Sequence, residues 1–322
     1  MGFVPETPRM TALPGEEAEQ VAVVIPCFNE EASISKVVAD FRRALPSARV
    51  LVVDNFSSDQ TAARARQAGA EVLREPRQGK GFALLRGLMA ARDADLFVMV
   101  DGDDTYPAEE VGRLIAATRS GAGMAIATRL ESAEPGALPG GHGFGNALFV
   151  LLVRLLFGLR TRDLFSGYRV MTRQFLDVSP LLSQGFEVES ELSLQALARG
   201  FRVAEVPVRY RARAQDSKSK LRTWSDGFRI LMAILTFFRD YRPLTFFGLL
   251  ALFFLVMSLG GGAVVVTGFL RTGLVQRLPL AVLSMGLFIL SSLCLSCGVL
   301  LSSINRRAAE LAAAIGWKRA QD

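Results

Sequence analysis

Histidine and cysteine are scarce in this chain of 322 residues, and their scarcity excludes several kinds of site. With His142 as the single histidine, a histidine-rich metal site is excluded, and a Ser-His-Asp triad would depend on that residue alone. Three cysteines cannot build the disulfide framework of a small secreted domain. Cys294 and Cys297 form a C-x-x-C pair inside a long apolar run, where packing of small residues between helices is the favoured interpretation.

The glycine-rich signatures of nucleotide-binding loops are missing as well. No G-x-G-x-x-G follows the first apolar run, so a dinucleotide site is unsupported. Gly79-Lys80-Gly81 is not a P-loop, because the upstream glycine and the following Ser or Thr are absent. Lys80 nevertheless stands at the predicted start of a helix, where backbone N–H groups and an ammonium suit an anion.

Charge is sparse and unevenly distributed. Charged residues make up 21% of the chain and hydrophobic residues 50%, which is too apolar for a disordered protein. The net charge is +6, and residues 199–242 account for all of it, with eleven Lys and Arg against four Asp and Glu. This basic belt directly precedes the most apolar part of the chain. We therefore expect a membrane surface or a phosphate-bearing substrate as its partner, and no nucleic acid.

Two apolar runs near the C-terminus are long enough to cross a bilayer. Residues 244–270 and 278–304 each hold 27 residues without a charge, and a span needs about 20. A buried hairpin of a soluble protein is the alternative, which two uncharged runs of this length disfavour. Lys and Arg are denser outside the hairpin than in its loop, so the positive-inside rule places the large N-terminal part and both termini in the cytoplasm.

The runs divide the chain into five predicted parts. They are a tail (1–20), a catalytic domain (21–222), a juxtamembrane helix (223–242), a transmembrane hairpin (243–305) and a cytoplasmic tail (306–322). In the juxtamembrane part, apolar residues recur at helical spacing between arginines, at Phe228, Leu231, Leu235 and Phe238. This pattern favours a helix lying in the membrane interface, and a plain core helix is the alternative.

Residues 21–222 alternate strand and helix patterns. Apolar runs at 21–25, 49–53 and 96–100 predict strands, with a shorter one at 71–73, and periodic segments between them predict helices. This order predicts an α/β fold with a mostly parallel sheet. Ligands of such sheets bind beyond the carboxyl ends of the strands. We therefore expect one crevice from the polar segments 26–31, 54–61 and 101–107.

Carboxylates cluster directly after the third long strand. Asp101, Asp103 and Asp104 repel one another unless a cation neutralises them or water surrounds them. Oxygen ligands at a strand end suit Mg²⁺ or Mn²⁺, which also bind substrate phosphates. A solvated acidic turn is the alternative. Asp54 and the polar residues that follow it can accept from a nucleobase or a ribose, although an Asx-rich turn explains them equally when they are taken alone.

Several motifs in residues 21–242 occur together in one known family. They are Val23-Val-Ile-Pro-Cys-Phe-Asn-Glu-Glu31, Val52-Val-Asp-Asn55 with Ser57, Ser58 and Asp59, and Asp101-x-Asp103. This set resembles the family-2 glycosyltransferases with the GT-A fold. Asp163-Leu-Phe-Ser-Gly-Tyr-Arg169, Glu187-Val-Glu-Ser-Glu191, Glu205-Val-Pro207 and Ser219-Lys-Leu221 resemble one branch, the polyprenyl-phosphate glycosyltransferases, which include dolichol-phosphate mannose synthase.

The resemblance implies a Rossmann-like GT-A domain followed by an interfacial helix and two transmembrane helices. It implies that Asp101 and Asp103 hold Mg²⁺ or Mn²⁺, with Asp103 the more direct ligand, although Thr105 stands where relatives often carry Gln. The residues expected to bind the nucleotide-sugar are Pro26, Phe28, Glu30, Asp54, Lys80, Asp101, Arg213 and Lys220. Those expected at the acceptor phosphate are Arg129, Arg213, Ser219 and Lys220. The expected catalytic set is Asp103, Asp163 and Arg129. A structural cap or a salt bridge with Arg169 is the alternative role of Asp163.

The implied activity is inverting transfer of a sugar from a nucleotide-sugar to a polyprenyl phosphate, such as undecaprenyl phosphate, at the cytoplasmic face of the inner membrane. UDP is expected rather than GDP. A lipid phosphate already carries the charge needed to attack the anomeric carbon, and a cation with Arg and Lys can stabilise the departing diphosphate, so no catalytic histidine is needed. Two alternatives stay open: another lipid-linked acceptor, and a subunit that binds nucleotide-sugar without turnover. Small residues in the apolar runs lead us to expect a homo-oligomer.

Overall fold

The computed structural model describes residues 19–129, 151–156, 163–185, 187–211 and 223–319. The strands are β1 (Val21–Cys27), β2 (Arg49–Asp54), β3 (Glu71–Arg74), β4 (Leu96–Met99), β5 (Met124–Thr128), β6 (Arg169–Thr172) and β7 (Val203–Pro207). The helices are α1 (Ile34–Ala44), α2 (Thr61–Gln67), α3 (Lys80–Ala90), α4 (Val111–Arg119), α5 (Arg173–Asp177), α6 (Val188–Ala198), α7 (Thr223–Tyr241), α8 (Pro243–Thr272) and α9 (Leu278–Arg319). A 3₁₀ turn covers Ala108–Glu110, and residues 151–156 are helical.

The seven strands form one sheet in the order β3-β2-β1-β4-β6-β5-β7. Strands β3, β2, β1 and β4 are parallel, β6 is antiparallel to both of its neighbours, and β7 is parallel to β5. The predicted mostly parallel α/β sheet is therefore confirmed. The chain moves outward from β1 to β3 and then returns to β4 on the other side of β1. This reversal is the place where α/β sheets bind ligands.

Both faces of the sheet are covered, which explains why its strands are continuous apolar runs. Val23 and Ile25 of β1 face a cluster that includes residues of α1, α2 and α4. Ala22 and Val24 face the opposite cluster, which contains residues of α3, α5 and α6. Successive side chains of a strand point to opposite faces, so one short strand joins both cores.

A third apolar cluster joins α7 to the catalytic domain. Ile234, Phe237 and Phe238 are buried against α6 and the helical residues 151–156. Leu231 and Leu235 are half-buried, and the side chain of Phe228 lies outside the described part of the chain. The predicted helix is present, and one of its faces belongs to a core. Its place in a membrane interface stays a prediction.

Helices α8 and α9 form an apolar hairpin. The segments Pro243–Thr272 and Leu278–Ala308 are long and apolar enough to cross a membrane, and only 11% of the most apolar stretch of each is buried. Contacts between them use small residues: the hydroxyl of Ser258 donates to the carbonyl of Ser284 (2.7 Å), and that of Ser291 to the carbonyl of Ala251 (2.8 Å). Cys297 is exposed, so it takes no part in this packing. The large exposed apolar surface indicates that the protein associates with a membrane.

The buried face of α7 can be tested with two substitutions on one helix. Ile234→Ala opens a cavity in the third cluster, so we expect the free energy of unfolding to fall by about 2–5 kcal/mol. Met232→Ala is the matched control, because that side chain is exposed, and we expect a change within about 0.5 kcal/mol. The measurement is the thermal unfolding midpoint in detergent. Equal midpoints for both variants would show that α7 does not pack on the catalytic domain.

Candidate active site

The carboxyl ends of β1, β2 and β4 bring the three polar segments to one edge of the sheet. Cys27 is paired with Asp54 across β1 and β2, and the backbone N–H of Val100, directly after β4, donates to the carbonyl of Val24 (3.2 Å). Strand β5 runs in the same direction as β4, since β6 between them is antiparallel to both. Arg129 therefore follows β5 at the same edge.

The loops after β1 and β2 are joined by side-chain hydrogen bonds. The backbone N–H of Asn29 donates to Ser57 Oγ (3.0 Å), and that of Glu30 donates to Thr61 Oγ1 (2.8 Å). Pro26 is buried and Phe28 is half-buried in the same segment. Four of the residues expected at the nucleotide-sugar therefore lie at the ends of β1 and β2 or in the loop after β1: Pro26, Phe28, Glu30 and Asp54.

The three carboxylates after β4 lie in different environments. Asp103 is 3% exposed, and its Oδ1 accepts from the backbone N–H (3.2 Å) and the hydroxyl (2.6 Å) of Thr105. Asp104 has a positive φ of 58° and pairs with Lys36 (2.7 Å) and Arg211 (3.6 Å). The pair Asp101 and Asp103 is therefore separated from the third carboxylate, and the Thr105 hydroxyl orients Asp103.

The donor set suits a divalent cation that is shared with a substrate. Mg²⁺ commonly binds one or two carboxylates together with water and substrate phosphates, and Asp101 and Asp103 supply that number. Among the described residues, no group of three or more His, Cys, Asp or Glu side chains could hold a metal ion by itself. The carboxylates of Asp101 and Asp103 are of the chemistry that Mg²⁺ or Mn²⁺ takes together with substrate phosphates.

Lys80 contacts two carboxylates. Its ammonium lies 2.5 Å from Asp101 Oδ1 and 2.5 Å from Glu189 Oε1, and its side chain is only 10% exposed. Burial acts to lower the pKa of Lys80, but the charges and hydrogen bonds of the two carboxylates outweigh it and raise the pKa above the ordinary value. The ammonium stays charged and fixes one oxygen of Asp101.

The start of α3 is also occupied by protein acceptors. The backbone N–H of Gly79 donates to Asn55 Oδ1 (2.7 Å), and that of Gly81 donates to the carbonyl of Gln184 (2.9 Å). At this helix start, where we expected an anion, these two backbone N–H groups donate to protein oxygens instead. Glu189, a buried carboxylate on α6, and the loop before α6 lie against the start of α3. The local pattern of residues 79–81 does not predict these distant neighbours.

Arg129 and Asp163 form a bidentate salt bridge. Nε lies 2.7 Å from Oδ2 and Nη2 lies 2.9 Å from Oδ1, and Asp163 is fully buried. The guanidinium also stacks over the ring of Tyr210, 5.5 Å from its centre. Burial acts to lower the pKa of Arg129, but charges nearby and the hydrogen bonds to Asp163 raise it well above the ordinary value.

The salt bridge expected as an alternative between Asp163 and Arg169 is wrong, since Asp163 pairs with Arg129. Asp163 Oδ1 does accept from the backbone N–H of Phe165 (3.1 Å), as the alternative of a structural cap expects. Arg169 donates to Ser193 Oγ (2.8 Å) and to the carbonyls of Leu164 and Ser166 (both 2.9 Å). It is fully buried on β6, and its side chain turns toward α6 instead. Arg213, Ser219, Lys220 and His142 lie outside the described residues.

Comparison with known proteins identifies the family of the chain. The profile of Glycosyl transferase family 2 matches residues 22–177. Glycosyltransferase AglJ of Haloferax volcanii is 32% identical over 231 residues, which cover 71% of this chain and 76% of that protein. The chain belongs to glycosyl transferase family 2.

A second relative supports the predicted branch of the family. The dolichyl-phosphate hexose transferase of Haloferax volcanii is 32% identical over 62% of this chain and 86% of its own length. Glucosyl-3-phosphoglycerate synthase from Mycobacterium tuberculosis, solved with Mn²⁺, UDP-glucose and phosphoglyceric acid, has a TM-score of 0.57 and 24% identity, covering 68% of this chain and 80% of that one. That likeness confirms the GT-A fold.

Two contributors to the site of this family-2 chain were missed by sequence reasoning. Glu189 lies within the motif Glu187-Val-Glu-Ser-Glu191, from which no role was predicted for it, and it forms an ion pair with Lys80. Gly167 lies against Asp101: a Cβ atom at Gly167 would come within 2.2 Å of Asp101 Oδ2. The glycine in the Ser-Gly-Tyr sequence of residues 166–168 was the available signal. Only the fold shows that the carboxylate of Asp101 occupies the space that a Cβ atom there would need.

Removing the ammonium of Lys80 should be costly. In Lys80→Met, Asp101 and Glu189 face each other with no cation between them, and breaking such a buried pair costs about 3–5 kcal/mol of unfolding free energy. Lys36→Met is the control, since Lys36 pairs with Asp104 at the surface and its loss should cost less than about 1 kcal/mol. Unfolding midpoints in detergent provide the comparison, and similar losses for both variants would contradict the buried pairing.

Proposed function

We propose that this chain transfers a sugar from a UDP-sugar to a polyprenyl phosphate at the cytoplasmic face of the inner membrane, with inversion at the anomeric carbon. One observation carries the proposal. A single chain combines a pair of carboxylates at the carboxyl edge of a GT-A sheet with an apolar helical hairpin, and α7 connects the two. A water-soluble donor and a membrane-bound acceptor can therefore both reach one protein.

The donor side of the proposal rests on the β1, β2 and β4 loops. Asp101 and Asp103 are the residues proposed to hold Mg²⁺ or Mn²⁺, and Pro26, Phe28, Glu30 and Asp54 are proposed to line the nucleotide. A divalent cation bound there supplies positive charge that stabilises the departing diphosphate. Support for UDP comes from glucosyl-3-phosphoglycerate synthase, which was solved with UDP-glucose and Mn²⁺ and also with UDP and Mg²⁺.

The acceptor side rests on the basic belt and on the relative named for dolichyl phosphate. Arg202 and Arg209 of the belt are exposed, ahead of the apolar hairpin. Arg129, Arg213, Ser219 and Lys220 are proposed to bind the acceptor phosphate. The bidentate salt bridge between Arg129 and Asp163 uses two of the five N–H donors of the guanidinium. It therefore orients Arg129 and leaves donors for a phosphate.

The chemistry needs little from a general base. A phosphate oxygen of the lipid attacks the anomeric carbon as the bond from that carbon to the nucleoside diphosphate breaks. The electron pair leaves with the diphosphate, and attack from the opposite side inverts the configuration. Arg129 neutralises the attacking phosphate, while Asp163 acts by positioning Arg129.

The membrane arrangement completes the proposal. Residues 21–222 form the catalytic domain, residues 223–242 lie at the membrane surface, and residues 243–305 span the bilayer. The short tails 1–20 and 306–322 then lie on the cytoplasmic side with the catalytic domain. Copies of the chain associate in the membrane as a homo-oligomer.

A reconstituted transfer assay tests the activity. Detergent-purified full chain is mixed with undecaprenyl phosphate, Mn²⁺ or Mg²⁺, and one UDP- or GDP-sugar at a time, and new lipid products are detected by mass spectrometry. We expect one donor to give a glycolipid that disappears with a chelator. Asp103→Asn should lower the rate at least about 100-fold, because it removes a proposed metal ligand.

Asp104→Asn is the matched control for that variant. It removes the neighbouring carboxylate, which pairs with Lys36 and Arg211, and Asn tolerates the positive φ. We expect its rate to stay within a few-fold of the wild type. Donor binding without any lipid product would favour the alternatives of a different acceptor or a silent subunit.

The space at Gly167 gives a prediction about the position of Asp101. Gly167→Ala places a methyl group on Asp101 Oδ2, so the carboxylate must move while the fold persists. A displacement of this size is expected to lower the transfer rate roughly 10- to 100-fold with little change in melting temperature. Gly112→Ala, in helix α4, has open space around it and should leave the transfer rate unchanged and the melting temperature equal or slightly higher, since Ala suits a helix better than Gly. A fully active Gly167→Ala protein would mean that the position of Asp101 is unimportant.

A further inference from the structure

Phe56, in the loop after β2, is both strained and exposed. Its φ is +65°, in the left-handed region that bulky side chains avoid. Asn29 and Asp104 are the other non-glycine residues with positive φ in the described ranges, and Asn and Asp tolerate this conformation far better. The side chain of Phe56 is 54% exposed, so burial does not repay the strain. Backbone strain of this kind is concentrated at functional sites.

The flanks of Phe56 hold it in this conformation. On one side, the backbone N–H of Asn55 donates to the carbonyl of Cys27 (2.8 Å), and Asn55 Nδ2 donates to the carbonyl of Arg77 (2.7 Å). On the other side, the backbone N–H of Ser58 donates to Asn29 Oδ1 (2.8 Å). These bonds join the loop to both of its neighbours, so an exposed aromatic ring is presented on a rigid backbone.

The position of Phe56 suggests what the ring contacts. Phe56 lies at the carboxyl edge of the sheet, two residues after Asp54. One other large apolar side chain in residues 19–129 is more than half exposed, that of Met89. Met89 is in the last turn of α3, at the opposite end of that helix from the site. Asp101 and Asp103 follow β4, on the other side of β1 from β2. A nucleotide whose phosphates lie at these carboxylates and whose base extends across β1 would bring the base to the β2 loop.

We infer that the ring of Phe56 forms a wall of the nucleobase site and stacks on the base of the donor. The inference rests on the proposed function, since it requires a nucleotide donor. Stacking on an exposed aromatic ring supplies affinity for any base through its flat face, so Phe56 adds binding energy and leaves discrimination between bases to polar groups such as Asp54.

Nucleotide binding and stability together test this role. Full chain in detergent with Mn²⁺ is titrated by calorimetry with UDP, with GDP and with inorganic pyrophosphate, which has no base. Phe56→Asn removes the ring and suits the positive φ. We expect its Kd for UDP to rise about five- to tenfold, its Kd for pyrophosphate to stay unchanged, and its melting temperature to equal or exceed that of the wild type.

Two controls accompany this variant. Phe56→Trp keeps an aromatic face and should bind UDP as the wild type does, and Met89→Asn removes an exposed apolar side chain elsewhere and should also leave the Kd unchanged. An unchanged Kd for UDP in Phe56→Asn would overturn the inference, as would an equal loss of pyrophosphate binding. A higher KM for undecaprenyl phosphate with an unchanged Kd for UDP would assign the ring to the acceptor instead. If the wild type binds neither UDP nor GDP, the proposed donor fails and the inference fails with it.

Discussion

The buried ammonium of Lys80 is the contact on which the geometry of the site depends. It joins the start of α3 to Asp101 after β4 and to Glu189 on α6. Both carboxylates lie beside this ammonium, and without an internal cation they would repel each other. Because the ammonium is nearly enclosed, its two partners must hold fixed positions, and this places one oxygen of Asp101 before any substrate arrives.

Other charged side chains of the site are also held by partners of opposite charge. Arg129 is held by Asp163, and Asp104 pairs with Lys36 and Arg211, apart from the partners of Asp101 and Asp103. Hydrogen bonds join the loop after β1 to the loop after β2, the side proposed for the nucleotide, where Phe56 has a strained backbone. The site is therefore largely organised by the protein, which reduces the reorganisation that a reaction would require.

Much of the fold was predictable because its elements obey local rules. Strands covered on both faces are continuous apolar runs, so the predicted 21–25 and 49–53 match β1 (Val21–Cys27) and β2 (Arg49–Asp54) within two residues. Polar residues interrupt those runs where the strands end, which located Asp54, Asp101 and Asp103 at one edge. The strands β5, β6 and β7 went unpredicted although they are no shorter than β3 and β4, because short apolar runs do not by themselves separate strand from helix.

The sequence by itself determined the order of strands and helices from β1 to β4, the length of the apolar hairpin and the acidic pair after β4, since each follows from periodicity, run length or adjacency. Only the tertiary structure decided which charges meet. Lys80 and Glu189 are 109 residues apart, and Arg129 and Asp163 are 34 apart. Their pairing follows from the strand order and from the packing of α6 over the start of α3. A buried charge takes the partner that the fold brings within reach, and no local pattern encodes that distance.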